Sequence, residues 1–357
     1  MMTSIDTIFW LFAGFAFVFG AVVGSFLNVV IFRVPAGLSV VHPPSHCPRC
    51  DAGIRWYDNI PIISWAIFLR AKCRDCGAPI SGQYALVEAL TGALTLALWY
   101  KVARAPFASM QVFEQTPAIS YLLPFGLYFV FICLLVVITF VDLEHLLIPH
   151  RFSLPGIALG IATPFLFNAL MPAGSLVGFW PPVTPMESII GAIAGGVTVI
   201  AIFYGYFALR GVPGIGGGDV TLMALVGAWL GWPSLVFVFF AASMQGVIAA
   251  GLAMVFGGGL LRDSATIFEE DALPEDAQAA KEVAPDADVD ALPEDAKTGE
   301  EEDAPSGEED ALEAAAPGAM AVPFGPFIAL AALEFFFVGD ILPSAFSMSY
   351  LYKYGFW

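Results

Sequence analysis

Two aspartates stand at the edges of apolar segments. Asp142 ends the run that leads into FVDLEHLLIP, and Asp219 follows the glycines of GIGGGDV. An ionisable residue in such a place is costly and is therefore a candidate functional residue. Two carboxylates that meet can share one proton and act as an acid/base pair, as in aspartic proteases. Gly216 and Gly218 would form a supporting loop, because glycine permits unusual backbone conformations and close approach. Taken singly, each aspartate is equally readable as a helix cap or an interfacial anchor.

Two C-x2-C pairs supply the second candidate site, and their members are Cys47, Cys50, Cys73 and Cys76. Two such turns can hold a tetrahedral zinc ion through four thiolates. Four protein ligands leave no open position, so we expect a structural zinc. The alternatives to a zinc site are four free thiols or two disulfides. Within a zinc site, His42 and His46 lie near enough in sequence to be substitute ligands. Cys133 lies inside an apolar run and is expected to be a small buried residue.

Long apolar helices must position these residues. The chain is 58% hydrophobic and 13% charged, whereas soluble domains carry about 25% charged residues. Apolar runs of about 18 residues or more predict membrane-spanning helices. We therefore predict an all-α polytopic membrane protein with about eight transmembrane helices and a small cytoplasmic zinc-binding loop domain. The apolar segments are 8–31, 84–100, 122–141, 152–171, 189–209, 220–230, 234–261 and 322–338.

The sixth of these segments, 220–230, is short for a span. It is expected either to be a half-buried helix or to continue through Gly231 and Trp232 and meet the seventh segment at a tight turn.

Span counting places both aspartates on one face of the membrane. Two predicted spans separate Asp142 from Asp219, and two further spans separate Asp142 from residues 32–83. This shared face carries eight basic residues before the acidic insert, and the opposite face carries three. Basic residues mark the cytoplasmic side. We expect the aspartates and the cysteine loop in the cytoplasm, with both termini outside.

An acidic insert interrupts the apolar pattern. Residues 262–317 contain twenty acidic and three basic side chains and repeat DALPEDA twice. Such a stretch cannot bury enough apolar area to order itself, so we expect disorder. It serves either as a solvated tether or as a lure for a basic partner. The predicted organisation is a first transmembrane helix (1–31), a cytoplasmic four-cysteine loop domain (32–83), membrane helices carrying the aspartates (84–261), the acidic insert (262–321), and a last transmembrane helix with a tail (322–357).

Six segments, in order, resemble the prepilin peptidases, which are membrane aspartic proteases also called type IV leader peptidases. The likeness covers most of the chain outside the acidic insert. The segments are GSFLNVVIFRVP (24–35), HCPRC with CRDCGAPIS, YALVEALTG (84–92), Asp142 with Ile148 and Pro149, GGGD (216–219), and VPFGPFI (322–328). Two positions depart from the family pattern. His150 stands where an acid is common, and Thr221 stands where a lysine is common.

The resemblance implies cleavage of the short basic leader of prepilins or pseudopilins at the cytoplasmic membrane face, with Asp142 and Asp219 as catalytic residues. Members with the cysteine loop usually also methylate the new N-terminus with S-adenosylmethionine, whose binding residues the sequence leaves unknown. The implied location is the inner membrane of a bacterium. We expect prepilins and membrane lipid as partners, and no nucleic acid.

Two other classes of protein remain as alternatives. One is a non-enzymatic transporter or secretion-channel component with a zinc-stabilised loop. The other is a protease of the presenilin type, which also carries the G-x-G-D pattern. Among the other polar residues of the apolar segments, Glu88 would contact a cofactor or substrate or pair with a neighbouring helix. Asn28 and Glu334 are expected to pack between helices.

Overall fold

The computed structural model describes residues 3–171, 183–211, 216–255 and 323–339. These residues fall within one compact unit made of Met1–Phe256 and Pro323–Trp357. The expectations for the acidic insert concern residues outside the described set.

The described residues form nine α-helices and no extended strand, which confirms the all-α prediction. The loop between the first two helices adds a 3₁₀ turn at Trp56–Asn59 and a π-helical turn at Ser64–Phe68. The helices are α1 (Ser4–Arg33), α2 (Gly82–Ala103), α3 (Met110–Gln115), α4 (Ile119–His145), α5 (His150–Leu170), α6 (Pro185–Arg210), α7 (Gly217–Leu230), α8 (Trp232–Val255) and α9 (Gly325–Val338).

Six of these helices are long and apolar enough to cross a membrane, namely α1, α2, α4, α5, α6 and α8. The shorter apolar helices α7 and α9 have 14 residues each. At about 1.5 Å per residue, each is shorter than the roughly 30 Å hydrocarbon layer. Helix α7 ends at Leu230, Gly231 has φ 78°, and α8 starts at Trp232. The short sixth segment therefore meets the seventh at a tight turn. This agrees with the second of the two expectations for that segment.

Helix α7 is buried along most of its length, and glycines on its neighbours let their backbones approach it. On α5 these are Gly156 and Gly160, and on α6 they are Gly191 and Gly195. A Cβ atom on Gly191 would overlap the carbonyl group of Gly227 in α7. Small residues spaced four apart are a common basis of close helix packing in membranes.

Two interhelical hydrogen bonds fix the depth and rotation of α7. The Ser188 hydroxyl of α6 donates to the Ala228 carbonyl over 2.6 Å. The Trp229 indole donates to the Gly156 carbonyl of α5 over 2.9 Å. Helix α7 is therefore held from two sides, and the residues at its first turn are held with it.

Gly191→Ala is expected to lower the thermal unfolding midpoint of the detergent-solubilised protein. The added methyl group overlaps the Gly227 backbone, and such overpacking costs about 1–3 kcal/mol. Gly205 lies in the same helix, and a Cβ there meets nothing within 4 Å. The control Gly205→Ala should leave the midpoint unchanged or raise it, because alanine is the better helix former by about 1 kcal/mol. Equal shifts in the two variants would contradict the close packing of α6 on α7.

Candidate active site and metal centre

Asp142 lies near the C-terminal end of α4 and is only 5% exposed. Helix α4 ends at His145, and Leu146 takes the left-handed conformation with φ 52°. The backbone N–H of Gly325, the first residue of α9, donates a hydrogen bond to the Asp142 carboxylate. A Cβ atom on Gly325 would overlap that carboxylate and lie 3.2 Å from its carbon. The backbone at the start of α9 thus contacts Asp142 directly, and only glycine at position 325 permits this approach.

Asp219 lies in the first turn of α7 and is 7% exposed. The backbone N–H of Gly216, which precedes the helix, donates to the Asp219 carboxylate. The N-terminus of a helix carries partial positive charge and favours a carboxylate there. Each aspartate therefore receives an N–H group from the start of a helix, α7 for Asp219 and α9 for Asp142.

Ile148 lies where the structural elements of the two aspartates meet. It is buried in the turn between α4 and α5. A Cβ atom on Gly218 would lie 3.1 Å from Ile148 Cγ1, and one on Gly325 would lie 3.2 Å from Ile148 Cδ1. The structure thus brings the two aspartates into one site, with apolar packing beside them.

The supporting glycines act mainly through close approach. Gly216 has φ −74° and ψ 150°, which any residue can adopt. A Cβ on Gly216 or Gly217 would meet nothing within 4 Å, whereas one on Gly218 would overlap Ile148. The expectation of an unusual backbone conformation is therefore not met at these positions, while close packing is found at Gly218.

Sequence reasoning assigned no role to Gly325. Its segment, VPFGPFI, was recognised only as part of the family likeness. The available signal was a glycine between bulky residues at the start of an apolar run, since a missing side chain there favours close approach of another group.

The two departures from the family pattern have separate explanations. The Thr221 hydroxyl donates to the Gly218 carbonyl over 2.9 Å, so it satisfies a backbone group of the first turn of α7. His150 is exposed at the first residue of α5. Within the part of the chain that the structure describes, neither side chain forms a hydrogen bond with Asp142 or Asp219.

The four cysteines form one cluster. Their sulfur atoms all lie within 4.8 Å of one another. The Cys47–Cys76 sulfur distance is 3.8 Å and the Cys50–Cys73 sulfur distance is 4.0 Å. Disulfide sulfurs are about 2.05 Å apart, so these are free thiols. Four bonds of about 2.3 Å in a tetrahedron would separate the sulfurs by roughly 3.8 Å. The cluster therefore fits a tetrahedral metal ion.

Two equivalent backbone turns build this cluster. The N–H of Asp51 donates to the Cys47 carbonyl, and the N–H of Gly77 donates to the Cys73 carbonyl, each over 2.9 Å. Asp51 and Gly77 both take the left-handed conformation, with φ 56° and 72°. Each turn thus folds back after its second cysteine and directs both thiols to one side.

Backbone N–H groups favour the thiolate form of Cys73, whereas burial and the neighbouring thiols raise the pKa of Cys50. The N–H groups of Cys76 and Asp75 lower the pKa of Cys73 to about 7. Ion pairs brace the second turn, since Arg74 contacts Asp58 and Arg55 lies 3.2 Å from Asp75. The hydrogen bond from Arg74 also lowers the pKa of Asp58. A low thiol pKa favours metal binding because the thiolate is the ligand form.

The histidines considered as substitute ligands take no part in the cluster. His46 Nδ1 lies 3.0 Å from the Pro44 carbonyl oxygen, and its Nε2 lies 3.7 Å from Asp51. Among the described residues, the group suited to a metal ion contains the four cysteines alone, without His42. Cys133 packs partly buried against the apolar core, as expected.

Three further polar residues of the apolar segments join separate parts of the chain. Glu88 accepts a 2.7 Å hydrogen bond from the Ile62 backbone N–H. Asn28 donates to the Tyr84 carbonyl over 3.1 Å, linking α1 to α2. Glu334 accepts from Gln245 over 2.9 Å, linking α9 to α8. The contacts of Asn28 and Glu334 match the expectation of packing between helices, whereas Glu88 bonds to the loop between α1 and α2 rather than to a neighbouring helix.

Comparison with known proteins places both sites in one family. The model of the bacterial peptidase A24 N-terminal domain matches residues 18–102, which include the four cysteines. The model of the type IV leader peptidase family matches residues 129–251, which include both aspartates.

Several similar proteins carry the name prepilin leader peptidase/N-methyltransferase. One from Myxococcus xanthus is 35% identical over 95% of this chain and 95% of its own length. One from Aeromonas hydrophila is 34% identical over 66% of this chain and 79% of its own length. One from Klebsiella pneumoniae is 33% identical over 66% of this chain and 92% of its own length. No solved structure matches the chain. From the two family models and this similarity, the chain belongs to the type IV leader peptidase family.

Proposed function

We propose that this protein cleaves the basic leader from type IV prepilins or pseudopilins, with Asp142 and Asp219 as its catalytic pair. The observations that carry the proposal are the burial of both carboxylates and the position of Ile148, which lies against Gly218 beside Asp219 and against Gly325 beside Asp142. Nearby carboxylates resist being charged together and share a proton, which is the arrangement of aspartic proteases.

In the proposed mechanism, the unprotonated aspartate takes a proton from a water molecule while the water oxygen attacks the scissile carbonyl carbon. The protonated aspartate donates a hydrogen bond to the carbonyl oxygen, where negative charge develops. The proton then passes to the departing amine. Because the two groups titrate as a pair, the proton belongs to the pair rather than to one member. The N–H groups of Gly216 and Gly325 hold the two carboxylates in place.

We place the site at the cytoplasmic face of a bacterial inner membrane, with both termini outside. Six helices long enough to span a membrane support a multi-pass protein. Gln83 at the start of α2 donates to Glu144 near the end of α4. This contact supports a common end for the cysteine loop and Asp142. The excess of basic residues predicted for that end supports its cytoplasmic orientation.

The non-enzymatic alternative is not favoured. A transporter would need polar groups along a path through its helices. The hydrogen bonds of Asn28 and Glu334 instead join neighbouring helices. The family models and relatives also point to the peptidase.

We further propose that Cys47, Cys50, Cys73 and Cys76 hold a structural zinc ion. When bound, zinc would neutralise thiolates and cross-link the two turns, since four protein ligands leave no position for a substrate. In this division of the chain, residues 32–83 form the zinc-stabilised loop domain and residues 84–261 carry the peptidase site. Residues 262–321 separate these helices from residues 322–357, which contain the short apolar helix α9.

A second activity, methylation of the new N-terminus with S-adenosylmethionine, is proposed from the names of the relatives. The described residues contain no glycine loop that follows a strand, so they show no nucleotide site of that kind. The assay offers labelled methyl donor and already cleaved pilin. We expect label on the pilin N-terminus from both the wild type and the Asp142→Asn variant, because we assign the aspartate pair to peptide cleavage alone. Absence of label from an active peptidase would refute this activity.

Asp142→Asn and Asp219→Asn are each expected to reduce leader cleavage by about 10²–10⁴-fold or more, because each removes one half of the acid/base pair. Cleavage of a prepilin in detergent, followed by gel shift at matched expression, measures this. Glu114→Gln changes an exposed acid of α3 and should cleave normally. Retained cleavage in either aspartate variant would refute the mechanism.

Gly218→Ala and Gly217→Ala form a matched pair of neighbouring substitutions. At Gly218 the new methyl group overlaps Ile148, which also contacts Gly325, so the aspartates should shift apart. A misplacement of about 1 Å can cost roughly 10²-fold in rate. At Gly217 the methyl group meets nothing within 4 Å and cleavage should persist. Similar rates for the two variants would show that Ile148 does not position the pair.

The purified protein is expected to contain one zinc ion per chain, measured by elemental analysis. Cys73→Ser should lose the ion and lower the thermal unfolding midpoint, since one of four ligands is missing. Cys133→Ser, which lies outside the cluster, should retain it. Acidification should release zinc because protons compete for the thiolates. Zinc retained after Cys73→Ser, or an absence of zinc from the wild type, would contradict the assignment.

A further inference from the structure

The loop between α1 and α2 carries an exposed apolar face made of Ile60, Ile63, Ile67 and Phe68. Ile67 is 64% exposed and Phe68 is 55% exposed, although sequence reasoning treated this loop as a cytoplasmic domain. Contiguous exposed apolar side chains mark contact with a membrane or another molecule. This loop's apolar face is not used by the proposed cleavage site.

The polar groups of the same segment are satisfied on its inner side. Ser64 is buried, and its hydroxyl donates to the Tyr57 carbonyl over 2.8 Å. The Trp65 indole donates to the Ile80 carbonyl over 3.1 Å. The segment is therefore held in a defined orientation, with its hydrogen bonds turned inward and its apolar side chains turned outward. A segment in contact with lipid needs this arrangement, because acyl chains offer no hydrogen bonds.

A hydrogen bond sets the depth of the segment. The N–H of Ile62 reaches the carboxylate of Glu88, the seventh residue of α2. Glu88 lies about 9 Å along the axis from the start of α2. Its side chain points back toward that start, as side chains in helices do. Ile62 therefore lies inside the level of the helix end, near the roughly 5–10 Å depth of interfacial segments.

Contact with α1 supports the same depth. A Cβ on Gly24 would lie 2.9 Å from the Cα of Glu88. Gly24 precedes the last residue of α1, Arg33, by nine positions. Phe26 of α1 and Leu86 of α2 are exposed near this level. The loop's apolar face is thus continuous in depth with apolar surface of two candidate spans.

Cationic and aromatic residues flank the loop's apolar face. Arg70 and Lys72 follow it, are exposed, and have no ion pair among the described residues. Trp56 precedes it and is 81% exposed. Tryptophan is enriched at membrane interfaces, and basic side chains there attract anionic lipid.

We propose that the loop's apolar face inserts into the boundary between headgroups and acyl chains, with Arg70 and Lys72 on the phosphates of anionic phospholipid. The loop would then be anchored to the membrane through this face, with the cysteine turns extending into solution. This lipid contact is separate from the proposed cleavage chemistry.

The test is photo-crosslinking from p-benzoylphenylalanine placed at position 67 or 68 of the full chain. The protein is reconstituted in vesicles of phosphatidylcholine and phosphatidylglycerol, irradiated, and examined by mass spectrometry for lipid adducts. Position 15 is the positive control, because Phe15 is 66% exposed within α1. Position 51 is the negative control, because the Asp51 side chain is 91% exposed on a cysteine turn.

We expect lipid adducts at positions 67 and 68 in yields comparable to position 15, and none at position 51. Phosphatidylglycerol should be enriched among the adducts at position 68, and R70Q/K72Q should remove that enrichment without changing the adducts at position 15. Three results would overturn the proposal: no lipid adduct at either position while position 15 reacts, equal yields at positions 51 and 68, or adducts with protein in place of lipid. Leader cleavage is measured on the same samples. A failure of lipid crosslinking would leave the cleavage proposal standing, and a failure of cleavage would leave the lipid proposal standing, so the two outcomes are distinguishable.

Discussion

The main physical constraint on this structure is the burial of two carboxylates among apolar helices. A carboxylate in such surroundings needs hydrogen-bond donors. Here each donor is a backbone N–H at the start of a helix, from Gly216 for Asp219 and from Gly325 for Asp142. The start of α9 must therefore meet the end of α4, and Ile148 packs beside both Gly325 and Gly218, the residue before Asp219. The position of α9 relative to α4 follows from that requirement.

Missing side chains make this arrangement possible. Helix α7 is too short to cross a membrane alone, so its neighbours enclose it through Gly156, Gly160, Gly191 and Gly195. In a lipid environment, apolar side chains gain little by leaving lipid for protein, and close backbone packing contributes instead. The same device recurs at the site, where Gly218 and Gly325 leave room for Ile148 and for the Asp142 carboxylate. Packing and proposed catalysis thus depend on the same type of contact.

The cysteine loop is attached to the helical body by more than its two ends. Glu88 binds Ile62, and the paired turns at Cys47 and Cys73 hold four thiols together. The arrangement permits a metal ion to stabilise a loop that has little apolar core of its own. The inward hydrogen bonds of Ser64 and Trp65 leave the opposite side of the loop apolar. The loop therefore has a metal-binding part and a part suited to a membrane surface.

The sequence by itself determined the helical class, the apolar segments, the two C-x2-C pairs and the choice of Asp142 and Asp219. These follow from hydropathy, local spacing and the cost of acids near apolar runs, all of which act over short distances along the chain. Only the tertiary structure decided that Gly325 contacts Asp142, that Ile148 lies between the site's elements, and that Glu88 holds Ile62. Those contacts join residues far apart in sequence. They depend on how closely two backbones approach, and a pattern of residue types does not specify that distance. A run of glycines is equally consistent with unusual dihedral angles and with close packing, and the sequence before Asp219 does not distinguish them. The structure shows ordinary dihedral angles at Gly216 and close packing at Gly218.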